Sequence, residues 1–286
     1  MASTRAKRGT SLARDFDPMT FIFGILNITD DSFSDAGKFL DPKAALAQAD
    51  KLIAEGADAL DLGAASSNPR SKGVAPEIEI ARLKPIVARG KKKRWKISID
   101  SFARETQAWA VDRDVDYIND IQGFPYPDMY PQLAAARAKL IVMHSVQGFG
   151  RAQVIPTDPA TIIGRIADFF DARIDALAAA GIPRSRLILD PGMGLFVGNK
   201  PEVSLTILKG LGRLKAAFGL PLLVSVSRKS FLRKLTGRDI SEIAPASLAA
   251  ELYAALHGAD MIRTHEPRQL RDALTIWEHI GVGNTR

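Results

Sequence analysis

Eight short apolar runs in this 286-residue chain each give way to residue types that can hold or polarise a ligand. Asn27 follows the first run, Gly63 and then Ser66 and Ser67 the second, Asp100 the third, and Asn119 with Asp120 the fourth. His144 follows the fifth, Asp190 the sixth, Ser227, Arg228 and Lys229 the seventh, and Arg263 with His265 the eighth. One polar residue after a strand is an ordinary cap or loop residue, but eight converging on one rim are hard to explain by capping. Two Asp and one Asn at adjacent strand ends can receive the N–H groups of a flat, nitrogen-rich heterocycle, because carboxylates accept and amides both accept and donate. Lys229 can donate to a ring carbonyl or ring nitrogen from the other side. Asn27, Ser67, Arg263 and His265 read as an anion site on the opposite arc, and a helix following Ser227 adds a dipole that favours phosphate. A heterocycle at one end and a diphosphate at the other imply an activated leaving group.

The elements that must position these residues are legible as an alternation. The apolar runs start at Phe21–Leu26, and further strands are predicted around 59–62, 97–99, 117–118, 140–143, 187–189, 222–226 and 261–262. Helices fall between them. Asp41 and Pro42 look like an N-cap and first helical residue, and Ala45, Leu46, Ala49, Leu52 and Ile53 recur at helical spacing up to Gly56. Another helix is predicted near residues 76–89, and another from Thr161 to Ala180 before Gly181. Eight such units without a composition break predict one α/β domain, a single (β/α)8 TIM barrel over residues 20–286 with its active site at the carboxyl ends of the strands. An open doubly wound sheet is disfavoured because no Gly-rich dinucleotide fingerprint follows the first strand. Residues 1–19 read as a flexible basic tail.

Composition removes several function classes. The chain has no cysteine, which excludes disulfides and thiolate chemistry, and its four histidines make a His-rich metal centre implausible. No apolar run of about 18 residues is present, so no membrane span is expected, and a cytoplasmic location is. Part of the net charge of +7 sits in Arg5, Lys7, Arg8 and Arg14, and more in Lys91, Lys92, Lys93, Arg94 and Lys96. The second cluster reads as a solvated loop at the bottom of the barrel rather than a nucleic-acid patch.

The blocks GILNITDDSFSD (24–35), GADALDLGAASSNP (56–69), ISIDSF (97–102), YINDIQGF (117–124), VMHS (142–145), LDPGMGLF (189–196), SVSRKSF (225–231) and IRTH (262–265) resemble, in order, those of dihydropteroate synthases. The resemblance spans roughly residues 21–280, and its nearest branch is the mobile, sulfonamide-insensitive one. It implies that 6-hydroxymethyl-7,8-dihydropterin diphosphate is joined to 4-aminobenzoate with loss of diphosphate. It assigns the pterin to Asp100, Asn119, Asp190 and Lys229, with Met143 flanking the pocket. It also assigns Asn27 to a Mg2+ that bridges the diphosphate, and Arg263, His265 and Ser67 to the anion pocket. Asp35 is placed on the first loop, where it would stabilise a pterin methylene cation, with Phe33, Ser230 and Phe196 around the aminobenzoate. Catalysis would then be dissociative, with Asp35, Lys229, Arg263 and His265 acting and no side-chain nucleophile needed. A homodimer is also expected, the run from Ser247 to Leu256 being either helix packing or the dimer face.

The departures are informative. Asp30 stands where the family has proline, Asn68 where it has arginine, Phe196 where it has glycine and Val197 where it has lysine. Arg70 could replace the missing arginine only if its loop is re-routed. Phe196 is expected to reshape the aminobenzoate pocket so that a flat carboxylate fits and a tetrahedral sulfonyl group clashes; the alternative is that it packs beneath its loop. Two other functions fit parts of the pattern: a pterin-binding methyltransferase domain of the same barrel type, and a non-catalytic pterin- or nucleic-acid-binding protein.

Overall fold

Short strands rich in Ile, Leu and Val line the inside of the molecule, and the helices that follow them cover the outside. The strands are β1 (Phe21–Asn27), β2 (Ala59–Gly63), β3 (Lys96–Asp100), β4 (Tyr117–Asp120), β5 (Lys139–Met143), β6 (Leu187–Asp190), β7 (Leu223–Val224) and β8 (Met261–Thr264). The helices are α1 (Pro42–Ala54), α2 (Pro76–Lys93), α3 (Arg104–Asp112), α4 (Tyr130–Ala135), α5 (Ile162–Ala179), α6 (Pro201–Phe218), α7 (Ser230–Thr236), α8 (Ala244–Leu256) and α9 (Pro267–Gly281). This computed structural model describes residues 20–29, 40–66, 73–147 and 155–281. The tail at 1–19 and the positions of Asp30, Phe33, Asp35, Ser67, Asn68 and Arg70 lie outside the described residues.

Local chemistry sets the helix starts. The Asp41 carboxylate accepts the Lys43 and Ala44 amides at 3.2 and 3.4 Å, and Pro42 occupies the first turn of α1, where its missing N–H does no harm. α2 opens in the same manner with Pro76 and carries Glu77 and Glu79 in its first turn, the sign the helix dipole favours.

All strand pairs are parallel, in the order β6-β5-β4-β3-β2-β1-β8-β7. The ring closes between β6 and β7 at one bridge, Leu189 with Leu222, beside a 2.9 Å bond from the Leu189 amide to the Pro221 carbonyl. Following the register once around carries Phe21 to the level of Thr29, a stagger of eight residues over eight strands. Eight strands with that stagger define the (β/α)8 barrel expected from the alternation.

The two-residue period of a strand sorts side chains between barrel interior and helix layer. Phe23, Ala59, Tyr117, Ile141, Ile188 and Leu223 fill the lower interior with Phe21 and Met261, while Ile22, Leu60, Ile97 and Leu140 face the helices. Fully burying one such large apolar side chain stabilises the fold by roughly 1.5–3 kcal/mol.

Two expectations need correction. Lys91, Lys92 and Lys93 are not loop residues but the last turn of α2, where they oppose the negative end of the helix dipole, and Arg94 closes the helix in the left-handed conformation. The helix runs through Gly90 because that residue is a contact point: a Cβ there would sit 2.7 Å from Ile97 Cδ1. The apolar run 222–226 yields only the two residues of β7, since the chain turns at Val226, whose carbonyl accepts the Lys229 amide at 3.2 Å.

Candidate active site

Continuing β2, β4, β6 and β8 two residues past the apolar layer brings polar residues into the interior. Asp61 follows Ala59, Asn119 follows Tyr117, Asp190 follows Ile188 and Arg263 follows Met261 at that spacing. Register then puts them side by side. Asn27, Gly63, Asp100 and Asn119 form one continuous rung across β1 to β4, and Met143 pairs with Asp190 on the next arc. Asp120 falls on the opposite face for the same reason. Its carboxylate accepts the Gln122 amide at 2.8 Å, the Phe124 amide at 3.1 Å and the Gln107 side chain at 2.9 Å, so it shapes the turn after β4.

The centre of the rung is charged. Arg263 donates from Nε to Asp61 and from Nη2 to Asp100, so the supposed anion-binding arginine and a supposed pterin carboxylate touch. Asp61, inside β2, thus takes this site arginine as its partner. Burial pushes the Asp100 carboxyl up to about 6, against the pull of Arg263 and Lys229. Burial likewise raises Asp190 to about 6, opposed by the Gly192 amide, which donates to Oδ1 at 2.8 Å, and by Lys229 and Arg263. Gly192 itself is required there: its φ is +75°, and a Cβ would lie 2.4 Å from the His144 carbonyl oxygen. Asn119 is buried with its Oδ1 unpartnered, an acceptor made to meet a donor that the protein does not supply.

Lys229 reaches the same space from the start of α7. Burial and the Arg263 charge lower its pKa to about 8, while Asp190 and Asp100 hold it up. Its ammonium lies 5.1 Å from the centre of the Phe196 ring. Phe196 is buried with Ile121 and Met143, alongside Phe102 and Leu195, and so adds an apolar surface beside the lysine. Ser230 follows Lys229, and both face Gly194, whose hypothetical Cβ would be 3.7 Å from Ser230 Oγ and 3.6 Å from Lys229 Cβ.

Between β7 and β8 the loops interlock. His265 Nδ1 lies 2.9 Å from Ser227 Oγ, and the His265 amide donates to the same oxygen at 3.2 Å. Burial, followed by the charges of Arg228, Arg263 and Lys229, holds His265 well below the usual imidazole range, so it is uncharged at neutral pH. Arg228 pairs with Glu266, and its φ of 57° marks a strained non-glycine residue in the loop. His144 is a satisfied strand-end histidine: Nδ1 bonds the Pro191 carbonyl at 3.1 Å, and burial lowers its pKa to about 4. His257 and His279 are exposed and bond carbonyls one helical turn back.

The structure therefore brings together Asn27, Asp100, Asn119, Met143, Asp190, Phe196, Lys229 and Arg263, with His265 alongside. Glu251 was the residue that sequence reasoning passed over; Asp61 reads from its place inside a strand as a structural pair within the barrel, and its two-residue step from Ala59 turns it inward to Arg263. Among the described residues no group of three or more His, Asp and Glu side chains could cage a metal. Asn27 offers one amide oxygen, directed toward Gly63, whose hypothetical Cβ would lie 3.4 Å from it and 3.8 Å from Asp100 Oδ2. That donor set fits Mg2+, a hard cation that keeps most of its waters and takes phosphate oxygens, but not a metal held by protein alone.

Comparison with known proteins identifies the family. A family model described as pterin-binding enzyme matches residues 23–265. The Escherichia coli dihydropteroate synthase type-2 is 56% identical over 255 residues, covering 89% of this chain and 94% of its own. The Yersinia pestis dihydropteroate synthase, solved with a sulfonamide drug, superposes with a TM-score of 0.84 at 30% identity, over 92% of this chain and 94% of its own. The Anaplasma phagocytophilum enzyme, solved with 6-hydroxymethylpterin-monophosphate, gives 0.79 at 35% identity, over 92% and 100%. The chain belongs to the dihydropteroate synthase family of pterin-binding enzymes.

Proposed function

We propose that this chain condenses 6-hydroxymethyl-7,8-dihydropterin diphosphate with 4-aminobenzoate, giving 7,8-dihydropteroate and diphosphate. The observation that carries this reading is the acceptor set of Asp100, Asn119 and Asp190 at the ends of β3, β4 and β6, with Asn119 and Asp190 buried, faced by the Lys229 donor. A pterin edge offers several N–H donors and a carbonyl acceptor in one plane, and this set complements both. Asp100 and Asp190 ionise near pH 6 and Lys229 loses its charge near pH 8, so around neutrality the carboxylates accept while the ammonium donates.

The reaction breaks the bond between the pterin methylene carbon and the diphosphate oxygen, and the bonding pair leaves with the diphosphate. Arg263, with Nε and Nη2 engaged by the two aspartates, has further N–H donors for the departing oxygens, and His265 adds a donor beside it. Asp35, outside the described residues, is the carboxylate assigned to the methylene cation, and Ser67 and Phe33 keep their assigned roles with diphosphate and aminobenzoate. The aniline nitrogen then forms the new carbon–nitrogen bond and gives up a proton. Mg2+, when bound through Asn27 and the diphosphate, would neutralise leaving-group charge.

Phe196 beside Lys229 supports the finer reading that the aminobenzoate pocket excludes sulfonamides, with Ser230 toward the substrate carboxylate. A discrimination of about 3–4 kcal/mol would correspond to a drug weakened by a few hundredfold or more. A homodimer and a cytoplasmic location complete the proposal; Ile276, Trp277 and Ile280 on α9 are large apolar side chains left exposed on one chain, and no described helix is long and apolar enough to cross a membrane.

The test is a coupled assay of dihydropteroate formation and diphosphate release, run with and without a sulfonamide. Stoichiometric release of both products with little inhibition is expected; no turnover would overturn the reaction assignment. Phe196→Gly should restore sulfonamide inhibition, and an unchanged inhibition constant in an active variant would refute the role given to the ring.

A further inference from the structure

A buried acid lies behind the anion pocket, and the proposed reaction does not use it. Glu251 projects from α8 toward β8 and the loop after β7 and is only 2% exposed. The hydroxyls of Ser227 and Thr264 interact with its carboxyl, the charges that face it are Glu266 and Arg228, and its Oε1 has no hydrogen-bond partner. One turn earlier on the same helix face, Ser247 accepts the Arg228 amide at 3.0 Å. Both polar residues on the buried side of α8 are therefore turned to the loops that carry Lys229 and His265.

The hydrogen-bond inventory around Glu251 has few solutions. Thr264 Oγ1 already accepts the Glu266 amide at 3.1 Å, so its hydroxyl proton needs an acceptor, which the carboxyl supplies. Ser227 Oγ accepts the His265 amide and also sits against Nδ1 of that ring. We propose that Glu251 is a positioning residue for His265: as the uncharged acid it donates to Ser227 Oγ, which turns the Ser227 hydroxyl proton onto His265 Nδ1 and leaves the imidazole proton on Nε2. The ring is uncharged at neutral pH, so its tautomer is the variable that remains. With the proton on Nε2, His265 is a donor that can serve a departing diphosphate.

Loss of the Glu251 proton reverses the order. Ser227 then donates to the carboxylate and accepts from Nδ1–H, and Nε2 becomes an acceptor that repels an anion. Burial, with the Glu266 charge adding to it, pushes Glu251 up to about 8 against the pull of the two hydroxyls and Arg228, which places the reversal just above neutrality. The functional consequence rests on the diphosphate reading given above. The tautomer itself does not, and it can be read in the ligand-free protein.

The experiment is a pH titration of the nitrogen-15-labelled histidine side chains by NMR, from about pH 6.5 to about pH 9.5. The chain has four histidines, so the His265 signals are assigned by their loss in His265→Asn. In the unaltered protein His265 should change from the Nε2–H to the Nδ1–H tautomer with a midpoint near pH 8. Glu251→Gln, whose carboxamide donates to Ser227 at every pH, should hold the Nε2–H form throughout. Lys229→Gln should leave the change in place, separating it from the lysine that titrates in the same range. One fixed tautomer in the unaltered protein overturns the proposal, and this arm decides even if a variant fails to fold. So does a change that persists unaltered in folded Glu251→Gln.

Discussion

The lower and upper halves of the barrel interior are built by the same strands and differ in almost every physical respect. Below, Phe23, Tyr117, Ile141, Ile188 and Leu223 interlock as an apolar plug, with the Phe23 and Tyr117 rings edge to face at 5.0 Å between centres. Two residues above that layer on β2, β4, β6 and β8, Asp61, Asn119, Asp190 and Arg263 occupy the inward positions. The plug stabilises the fold by taking apolar surface out of water. The polar layer does the opposite: burial raises Asp100 and Asp190 and lowers Lys229, so each charged form is disfavoured relative to water. A layer that opposes folding at the mouth of a barrel is there for what it holds.

Replacements in the two layers should therefore separate stability from activity. Arg263→Met should have the largest effect, because it leaves Asp61 and Asp100 buried without their partner. We expect a loss of about 3–5 kcal/mol in urea unfolding together with loss of turnover. Phe23→Ala should lower stability by a similar ~3–5 kcal/mol. The part that remains folded should nevertheless keep kcat/KM within a few-fold of the parent, and a collapse of kcat/KM in folded protein would erase the distinction between the layers. Asp190→Asn should raise the KM for the pterin diphosphate by roughly 10–100-fold, as expected when a hydrogen bond to a charged acceptor is weakened. It should not reduce stability at pH 7. The folded-state pKa is raised to about 6 from 3.8, so the native state binds the proton more tightly and stability declines as pH rises through that interval. The amide is spared that decline. The smallest effect is the pH profile of kcat/KM, which should be bell-shaped with limbs near pH 6, from the coupled carboxyls, and near pH 8. A flat profile between them and beyond would mean that these groups do not titrate in the working site.

Much of this arrangement was legible in the sequence because the two-residue strand period is a local rule. It separates Asp100, Asn119 and Asp190, which point in, from Asp120, which points out and caps a turn. Contacts set by stagger around the barrel were not legible. Arg263 pairs in register with Phe23, four residues below Asn27 on β1, yet its guanidinium reaches Asp61 and Asp100 on two other strands. A list of strand-end residues assigned Arg263 to the anion arc alone, because such a list contains no tilt. Glu251 was hidden for another reason: on an apolar helix its carboxyl looks like a surface residue until α8 is docked on β8. The helix predicted near residues 76–89 runs on through Gly90 to Lys93, because a glycine there makes room for Ile97.

The most direct test of the polar layer is calorimetric titration of 6-hydroxymethylpterin, without aminobenzoate or metal, into the unaltered protein, Asn119→Ala and Asp190→Asn at pH 7. The acceptor set predicts binding that weakens roughly 10–100-fold in each variant. Equal affinity in all three would contradict it, since the heterocycle would then be held somewhere other than the mouth of the barrel.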